Sequence, residues 1–307
     1  MDILLAARAS CMGRIIKTKD CIMNNNNRAA RAGIAQDTLD ILARGFYELP
    51  DGQQVRIANE QTAAETATRH YQAHELVSLV HKPGSEKRNS RFEVSNQTTL
   101  AAARQLIDSG HRDVLCLNFA SARNPGGGFL GGSEAQEENL AKSSGLYPCL
   151  LRQMAMYEAN RQMKSCTYLD DMIYSPRVPV FRDDDYGYLP QPYLISMVTA
   201  PAVNRGAIVR NEPEILPGLE AIMLNRIAML LALAREHGHS ALVLGAWGCG
   251  VFGNQPADMA RWFAVNLLGE GRFASAFDLV HFAVLDRREG GTYRAFADAF
   301  AGASAAE

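Results

Sequence analysis

The sequence predicts an α/β fold, a largely buried sheet with helices on both faces. Three observations lead there. Val114 to Phe119, Ala241 to Leu244 and Leu279 to Leu285 are apolar almost throughout rather than alternating, as strands covered on both sides are. Between such stretches, apolar residues recur at helical spacing, giving alternation of helix and strand. Two of the strands run into glycine-rich turns, Asn124-Pro125-Gly126-Gly127-Gly128 and Gly245 to Asn254.

Composition sets the outer limits. The chain has 307 residues, 47% hydrophobic and 21% charged, which suits a globular protein of one large or two small domains. A net charge of −2 argues against a broad footprint for nucleic acid, so no sequence-specific nucleic-acid partner is expected. An anionic small ligand is still compatible, because glycine-turn amides and helix ends bind phosphate without net positive charge. The six cysteines show neither CxxC spacing nor a companion histidine cluster, so no metal site is expected. Reduced thiols imply a cytoplasmic setting. No apolar run reads as long enough to span a bilayer, so no membrane partner is expected. The start, with an acid at Asp2, does not resemble a signal peptide. Residues 1–27 read as a dispensable extension, with Met23 as an alternative start.

Taken in order, Ala29 to Ala43 reads as a helix, with Leu39, Leu42 and Phe46 in phase and Gly45 as its stop. A hairpin follows, with Tyr47 and Leu49, the turn Pro50-Asp51-Gly52, then Val55 and Ile57. Residues 60–97 are polar and weakly patterned, with a loop from His81 to Arg91, so 28–97 reads as an accessory region and 98–303 as the main domain. A helix carries Leu100, Ala103 and Ile107 and ends at Gly110. After the first strand and turn comes a helix with Leu140, Tyr147 and Leu151 inside. Met172 to Phe181 and Tyr193 to Thr199 read as strands separated by the turn-rich Arg182 to Tyr188. A long helix spans Ile215 to His237, and the strand Ala241 to Leu244 enters the second glycine turn. Pro256 to Leu268, Leu279 to Leu285 and Thr292 to Phe300 complete the set as helix, strand and helix.

The first turn carries the chemistry. After Gly128 and a spacer of seven residues stands Gln136-Glu137-Glu138. Ser133-Glu134-Ala135-Gln136 fits a capping box, which predicts a helix starting at Ser133 with Glu137 and Glu138 in its first two turns. A helix dipole there would lower both carboxyl pKa values, whereas two like charges under a ligand would raise one. Paired carboxylates suit acid/base work on a sugar; the alternative is a pair of surface acids that complement the dipole. Asn118 and Asn124 bracket the turn, as ligand contacts or as turn formers. Gly131-Gly132 would let the segment fold over a ligand, and the glycines of the turn would bring N–H groups close to it.

The second turn has the elements of a phosphate cradle, a buried strand, glycines, and a helix with Pro256 in its first turn. Gly248, Gly250 and Gly253 match a dinucleotide pattern only in part, since no acid is placed to take a ribose. A Walker loop is excluded because no Gly-Lys-Ser/Thr occurs. Phe252 lines a sugar site or packs in the core. Trp247 and Cys249 read as packing residues with no assigned chemistry.

Three glycines, a short spacer and Gln-Glu-Glu resemble the signature of poly(ADP-ribose) glycohydrolases, here Gly126-Gly127-Gly128 and Gln136-Glu137-Glu138. Leu117 to Pro125, the run Gly248-Cys249-Gly250-Val251-Phe252-Gly253-Asn254 and the N-terminal helix and hairpin resemble the family's microbial branch, over about residues 28–303. The resemblance implies a macrodomain-like α/β/α fold with a mixed sheet that binds ADP-ribose. It implies hydrolysis of the ribose–ribose O-glycosidic bonds of poly(ADP-ribose) without metal or cofactor, with ADP-ribosylated proteins as partners. By position, Glu138 corresponds to the catalytic acid, Glu137 to the neighbour holding the ribose, 245–254 to the diphosphate-binding loop and Phe252 to the aromatic that orders the distal ribose. Asn118, Asn124, the glycines of the first turn and Gln136 join the residues of 248–254 as expected substrate contacts.

Three other readings stand beside it. A non-catalytic reader of ADP-ribose would not release it from polymer. A hydrolase of the last protein-linked unit would strip mono-ADP-ribosylated protein. A nicotinamide-dependent oxidoreductase, suggested by the Gly248 to Gly253 pattern alone, would bind NADH.

Overall fold

The computed structural model describes residues 27–84, 87–286 and 290–303. The expectation that the first residues form a dispensable extension falls, up to Asn26, outside the described residues. Asn27 is the N-cap of the first helix, its side chain accepting the Ala29 N–H at 3.0 Å.

That helix, α1 (Arg28–Arg44), ends at Gly45, whose φ of 76° suits the left-handed cap. The expected hairpin follows as β1 (Phe46–Glu48) and β2 (Gln54–Arg56), paired antiparallel. The next segment holds more structure than its pattern suggests: α2 (Ala58–Ala67), β3 (Arg69–Tyr71), α3 (Ala73–His81) and β4 (Arg91–Ser95). A three-residue strand is too short to show alternation, and α2 packs largely through alanine and glutamine.

From Thr98, whose hydroxyl caps α4 (Thr99–Asp108), the order largely follows expectation. After β5 (Val114–Phe119) the expected single helix is two, α5 (Gln136–Ser143) and α6 (Leu146–Leu151). They break where Ser144 bridges to Val180 and the Gly145 N–H bonds Pro179 O at 2.9 Å, and Leu151 lies exposed rather than inside. Next come α7 (Met154–Gln162), the long hairpin β6 (Met172–Arg182) and β7 (Tyr188–Ala200), then α8 (Arg205–Asn211). A 3-10 turn leads into α9 (Leu219–Glu236), followed by β8 (Ala241–Leu244), α10 (Pro256–Leu267), β9 (Leu279–Ala283) and α11 (Gly291–Ala299).

Seven strands form one mixed sheet in the order β3-β6-β7-β5-β8-β9-β4. The pairs β3–β6 and β6–β7 are antiparallel, and β7, β5, β8, β9 and β4 run parallel. Both edge strands therefore come from the segment read as accessory, and a boundary at residue 98 cuts through the sheet.

Alternate residues of each central strand enter different cores. Leu115, Leu117, Leu242 and Val280 pack with α3, α9, α10 and α11, while Val114, Cys116, Val243 and Leu279 pack with α4, α6 and α7. This double coverage is why the strands read as apolar throughout. The statement that no apolar run has membrane length needs correcting, since Pro213–Glu236 has that length and composition. Its apolar residues, among them Met223, Ile227, Leu230 and Leu231, are buried in the core, and its Arg226 is paired with Asp170.

Candidate active site

The two glycine turns leave the carboxyl ends of β5 and β8, which are neighbours in the sheet. Ligands of open α/β sheets bind in such a crevice. Two adjoining lobes occupy it, of about 630 and 410 Å³, sharing walls at Phe119, Ala135, Gln136, Ala246 and Gly250. Asn124, Gly127, Gly128, Glu137 and Glu138 line the smaller lobe with Val251 and Phe252.

The first turn is built around the carboxylates. Gly126 and Gly127 have φ of 70° and 61°, conformations that glycine tolerates. A Cβ on Gly127 would lie 2.3 Å from Glu138 Oε1 and 3.1 Å from Glu137 Oε2, so both carboxylates converge on that one α-carbon. The Gly128 N–H donates to Glu138 Oε1 at 2.9 Å, the Gly127 N–H to Asn124 O at 3.0 Å, and Gly126 hydrogen-bonds Glu137. The expectation that these amides face a ligand is thus corrected: those of Gly126 and Gly128 hold the acids, and that of Gly127 closes the turn.

Glu137 and Glu138 differ in surroundings. Glu137 is 4% exposed, and its Oε2 accepts the Ser121 N–H at 2.7 Å. Burial pushes its carboxyl up to about 8, aided by the charge of Glu138 and opposed by hydrogen bonds from Ser121, Asn118 and Gly126. Glu138 is half-buried, and among the described residues its one hydrogen bond uses Oε1, leaving Oε2 to the cleft.

Other expected contacts move behind the cleft. Asn118 is fully buried and donates Nδ2 to Glu137 Oε1 at 3.4 Å and to Thr199 Oγ1 at 3.1 Å, so it supports Glu137 rather than touching a ligand. The capping box does not form. Helix α5 starts at Gln136, and that side chain instead takes the Phe119 N–H at 2.8 Å and donates to Leu117 O at 2.7 Å and Thr99 Oγ1 at 3.1 Å. Gln136 borders the cleft, but its amide stitches α5 to β5. Gly132 admits α1 rather than a ligand, since a Cβ there would lie 2.0 Å from Arg28 O. Arg28 Nε donates to Gly131 O at 2.7 Å, Arg31 Nε to Gly132 O at 2.8 Å and Thr38 Oγ1 to Lys142 O at 2.6 Å.

The second turn is organised the opposite way. Gly248 (φ 72°) and Gly253 (φ 68°) shape it, and buried Asn254 ties it down through Nδ2 to Val203 O at 2.9 Å. Gly248 lines the smaller lobe, whereas Gly253 and Asn254 lie outside the lining. Among the described residues the N–H groups of Gly250, Val251 and Phe252 make no backbone hydrogen bond, and a Cβ on Gly250 would meet open space. Three successive N–H groups at a cleft form an anion-binding concavity. Val251 is 92% exposed at the tip. Phe252 lines the smaller lobe and packs against the core. Cys249 borders the larger lobe with its thiol pushed up to about 12 by burial, consistent with no chemistry.

A family model described as the catalytic domain of microbial-type PARG matches residues 35–183. A crystal structure of poly(ADP-ribose) glycohydrolase from Thermomonospora curvata bound to the inhibitor ADP-HPD is 46% identical. It covers 88% of this chain and 99% of its own, with a TM-score of 0.81. The enzyme from Deinococcus radiodurans in complex with ADP-ribose is 42% identical, covering 80% and 99%, with a TM-score of 0.75. The chain belongs to the microbial-type poly(ADP-ribose) glycohydrolase family. A comparison with curated proteins gives no match. Its α/β architecture is the macrodomain-like one of these glycohydrolases, with the N-terminal region built onto it.

In this glycohydrolase fold, the sequence reading missed the residues that complete the larger lobe. Arg31, Thr98, Glu134, Asp184 and Tyr186 line it. Glu134 is held by Lys142, by the Tyr186 hydroxyl at 2.7 Å and by Arg31 at 3.5 Å. These residues come from α1, the α4 cap, the α5 approach and the β6–β7 turn, and no local motif joins them. Ser121, whose N–H holds Glu137, likewise carries no sequence signal. Among the described residues no group of three His, Cys, Asp or Glu side chains is arranged to hold a metal ion.

Proposed function

We infer that this protein hydrolyses the ribose–ribose O-glycosidic bonds of poly(ADP-ribose) and releases ADP-ribose. The observation that carries the reading is the convergence of Glu137 and Glu138 on Gly127, with Glu138 Oε2 left to the cleft. Family membership supports it, as do relatives solved with ADP-ribose and with ADP-HPD.

In this reading Glu138 gives its proton to the 2′-oxygen of the leaving unit as the C1″–O bond breaks through an oxocarbenium-like state. Water then adds to C1″ and returns a proton to Glu138, so one water is consumed per bond. Glu137, held against Ser121 and Asn118, takes ribose hydroxyl hydrogen bonds and fixes the sugar beside its neighbour. The Gly250, Val251 and Phe252 amides receive the diphosphate, Phe252 borders the distal ribose, and the larger lobe has room for the adenosine.

Incubation with labelled poly(ADP-ribose) tests the reading, with release of ADP-ribose as the expected result. Tight ADP-ribose binding with intact polymer would instead mark a reader. Protein-linked polymer and the cytoplasm are the proposed setting, which labelled ADP-ribosylated protein and cell fractionation would check.

A further inference from the structure

Beside Phe252, which lines the smaller lobe, stands a strained aromatic that the mechanism does not use. Tyr168 has φ of 61°, a backbone state that is unfavourable for a bulky residue. The strain is held from below by Arg226, which is 1% exposed. Its Nη2 donates to Tyr168 O at 3.2 Å, Nη1 to Pro201 O at 3.0 Å and Nε to Asp170 Oδ1 at 2.6 Å. Asn204 Nδ2 reaches the Tyr168 hydroxyl at 3.4 Å. A buried guanidinium is thus committed to keeping one partly exposed ring in place.

The ring stands against a wall of the smaller lobe. Its centroid is 5.8 Å from that of Phe252, which lines the lobe holding the two carboxylates. The exposed Arg123, whose next residue Asn124 lines the same lobe, places its guanidinium 6.0 Å from the Tyr168 centroid. Arg161 Nε holds the Arg123 carbonyl at 2.9 Å. Among the described residues no carboxylate forms an ion pair with Arg123. An aromatic ring and a cation 6.0 Å from its centroid suit a purine and its diphosphate, through stacking and charge-assisted hydrogen bonds.

We propose that Tyr168 and Arg123 form an outer subsite for the next ADP-ribosyl unit of the polymer, the unit that leaves. The purine stacks on Tyr168 and a phosphate pairs with Arg123. The inference rests on the glycohydrolase reading. With the terminal unit's ADP spread over the second turn and the larger lobe, the bond beside Glu138 directs the remaining chain past Phe252. The subsite deepens that reading by assigning the protein a preference for polymer over a single ADP-ribose.

Tyr168→Gly is the informative variant, because glycine accepts φ of 61° and removes the ring without new backbone strain. KM for short labelled polymer should rise roughly 5- to 100-fold, the range of one base–aromatic stack, while ADP-ribose affinity stays at the wild-type value. Tyr168→Phe should restore wild-type KM. Unchanged polymer KM in Tyr168→Gly overturns the subsite. So does an equal loss of ADP-ribose affinity, which would mean the ring only braces Phe252. Polymer binding by Glu138→Gln protein, with and without Tyr168→Gly, reads the subsite without turnover. Ring-dependent polymer binding there, beside a wild type that cleaves no polymer, would sink the hydrolytic reading and leave the subsite standing. Equal polymer binding with and without the ring would do the reverse.

Discussion

Glu137 and Glu138 are neighbours in sequence and strangers in environment. One is enclosed and surrounded by N–H donors, while the other presents an oxygen to the cleft. Glu138→Gln keeps size and removes the transferable proton. Turnover of polymer should fall about 10²- to 10⁴-fold, the span of general acid/base catalysis, with ADP-ribose affinity by calorimetry nearly unchanged. Wild-type turnover would remove Glu138 from its role. The enclosed partner predicts a pH effect on stability. A carboxyl raised from its ordinary value to about 8 binds its proton more tightly when folded. Its contribution is fully present below about 4.5 and is lost as pH rises through about 8. With about 1.4 kcal/mol per unit of displacement, the loss is on the order of a few kcal/mol. The melting temperature should therefore decline between pH 5 and 9 more steeply in the wild type than in Glu137→Gln, and parallel curves would refute this. The pair itself was legible because it is contiguous with its glycine turn. The supporting roles of Asn118 and Ser121 were not, because only the folded chain sets them against Glu137.

The two glycine turns look alike in sequence and work in opposite senses. In the first, the amides of Gly126 and Gly128 are spent on the acids; in the second, three successive amides have no backbone partner among the described residues. Two substitutions should separate these functions. Gly127→Ala puts a methyl group 2.3 Å from Glu138 Oε1 at a φ of 61°. It should abolish most turnover and cost roughly 1–3 kcal/mol of stability. Gly250→Val meets open space, so stability should stay within about 0.5 kcal/mol. Its branched side chain would lie over the second turn's amides, and ADP-ribose affinity should drop sharply. Normal affinity in Gly250→Val would make the second turn structural only. The strand–turn–helix order of both elements could be read from periodicity and glycine. The start of α5 could not, because Gln136 spends its amide on β5 instead of on a cap. Similarly, Gly131-Gly132 looked like slack over a ligand until α1 was seen packed against it.

The sheet ties the whole chain into the site. Its centre was legible from residue 98 onward, but β3 and β4, both in the earlier segment, close its two edges. Tyr71, Leu76 and Leu79 from that segment are buried in the larger core. Each such side chain contributes about 1.5–3 kcal/mol, against a net stability of about 5–15 kcal/mol for a domain. A chain shortened to begin at Thr98 should show no cooperative thermal transition by circular dichroism. A sharp melt would mean that the later residues fold alone. The short edge strands escaped the sequence reading because their pairing is settled by partners far along the chain.

The pairing of β5 with β8 also orders events in time. During synthesis the ribosome delivers the paired acids and their glycine turn long before Ala241, on the order of ten seconds earlier at typical elongation rates. Until β8 arrives, the nascent chain carries the paired acids but not the turn proposed to seat the diphosphate. On the proposed assignment the growing polypeptide stays inert toward polymer, and the capacity to cut switches on late, near the completion of the chain.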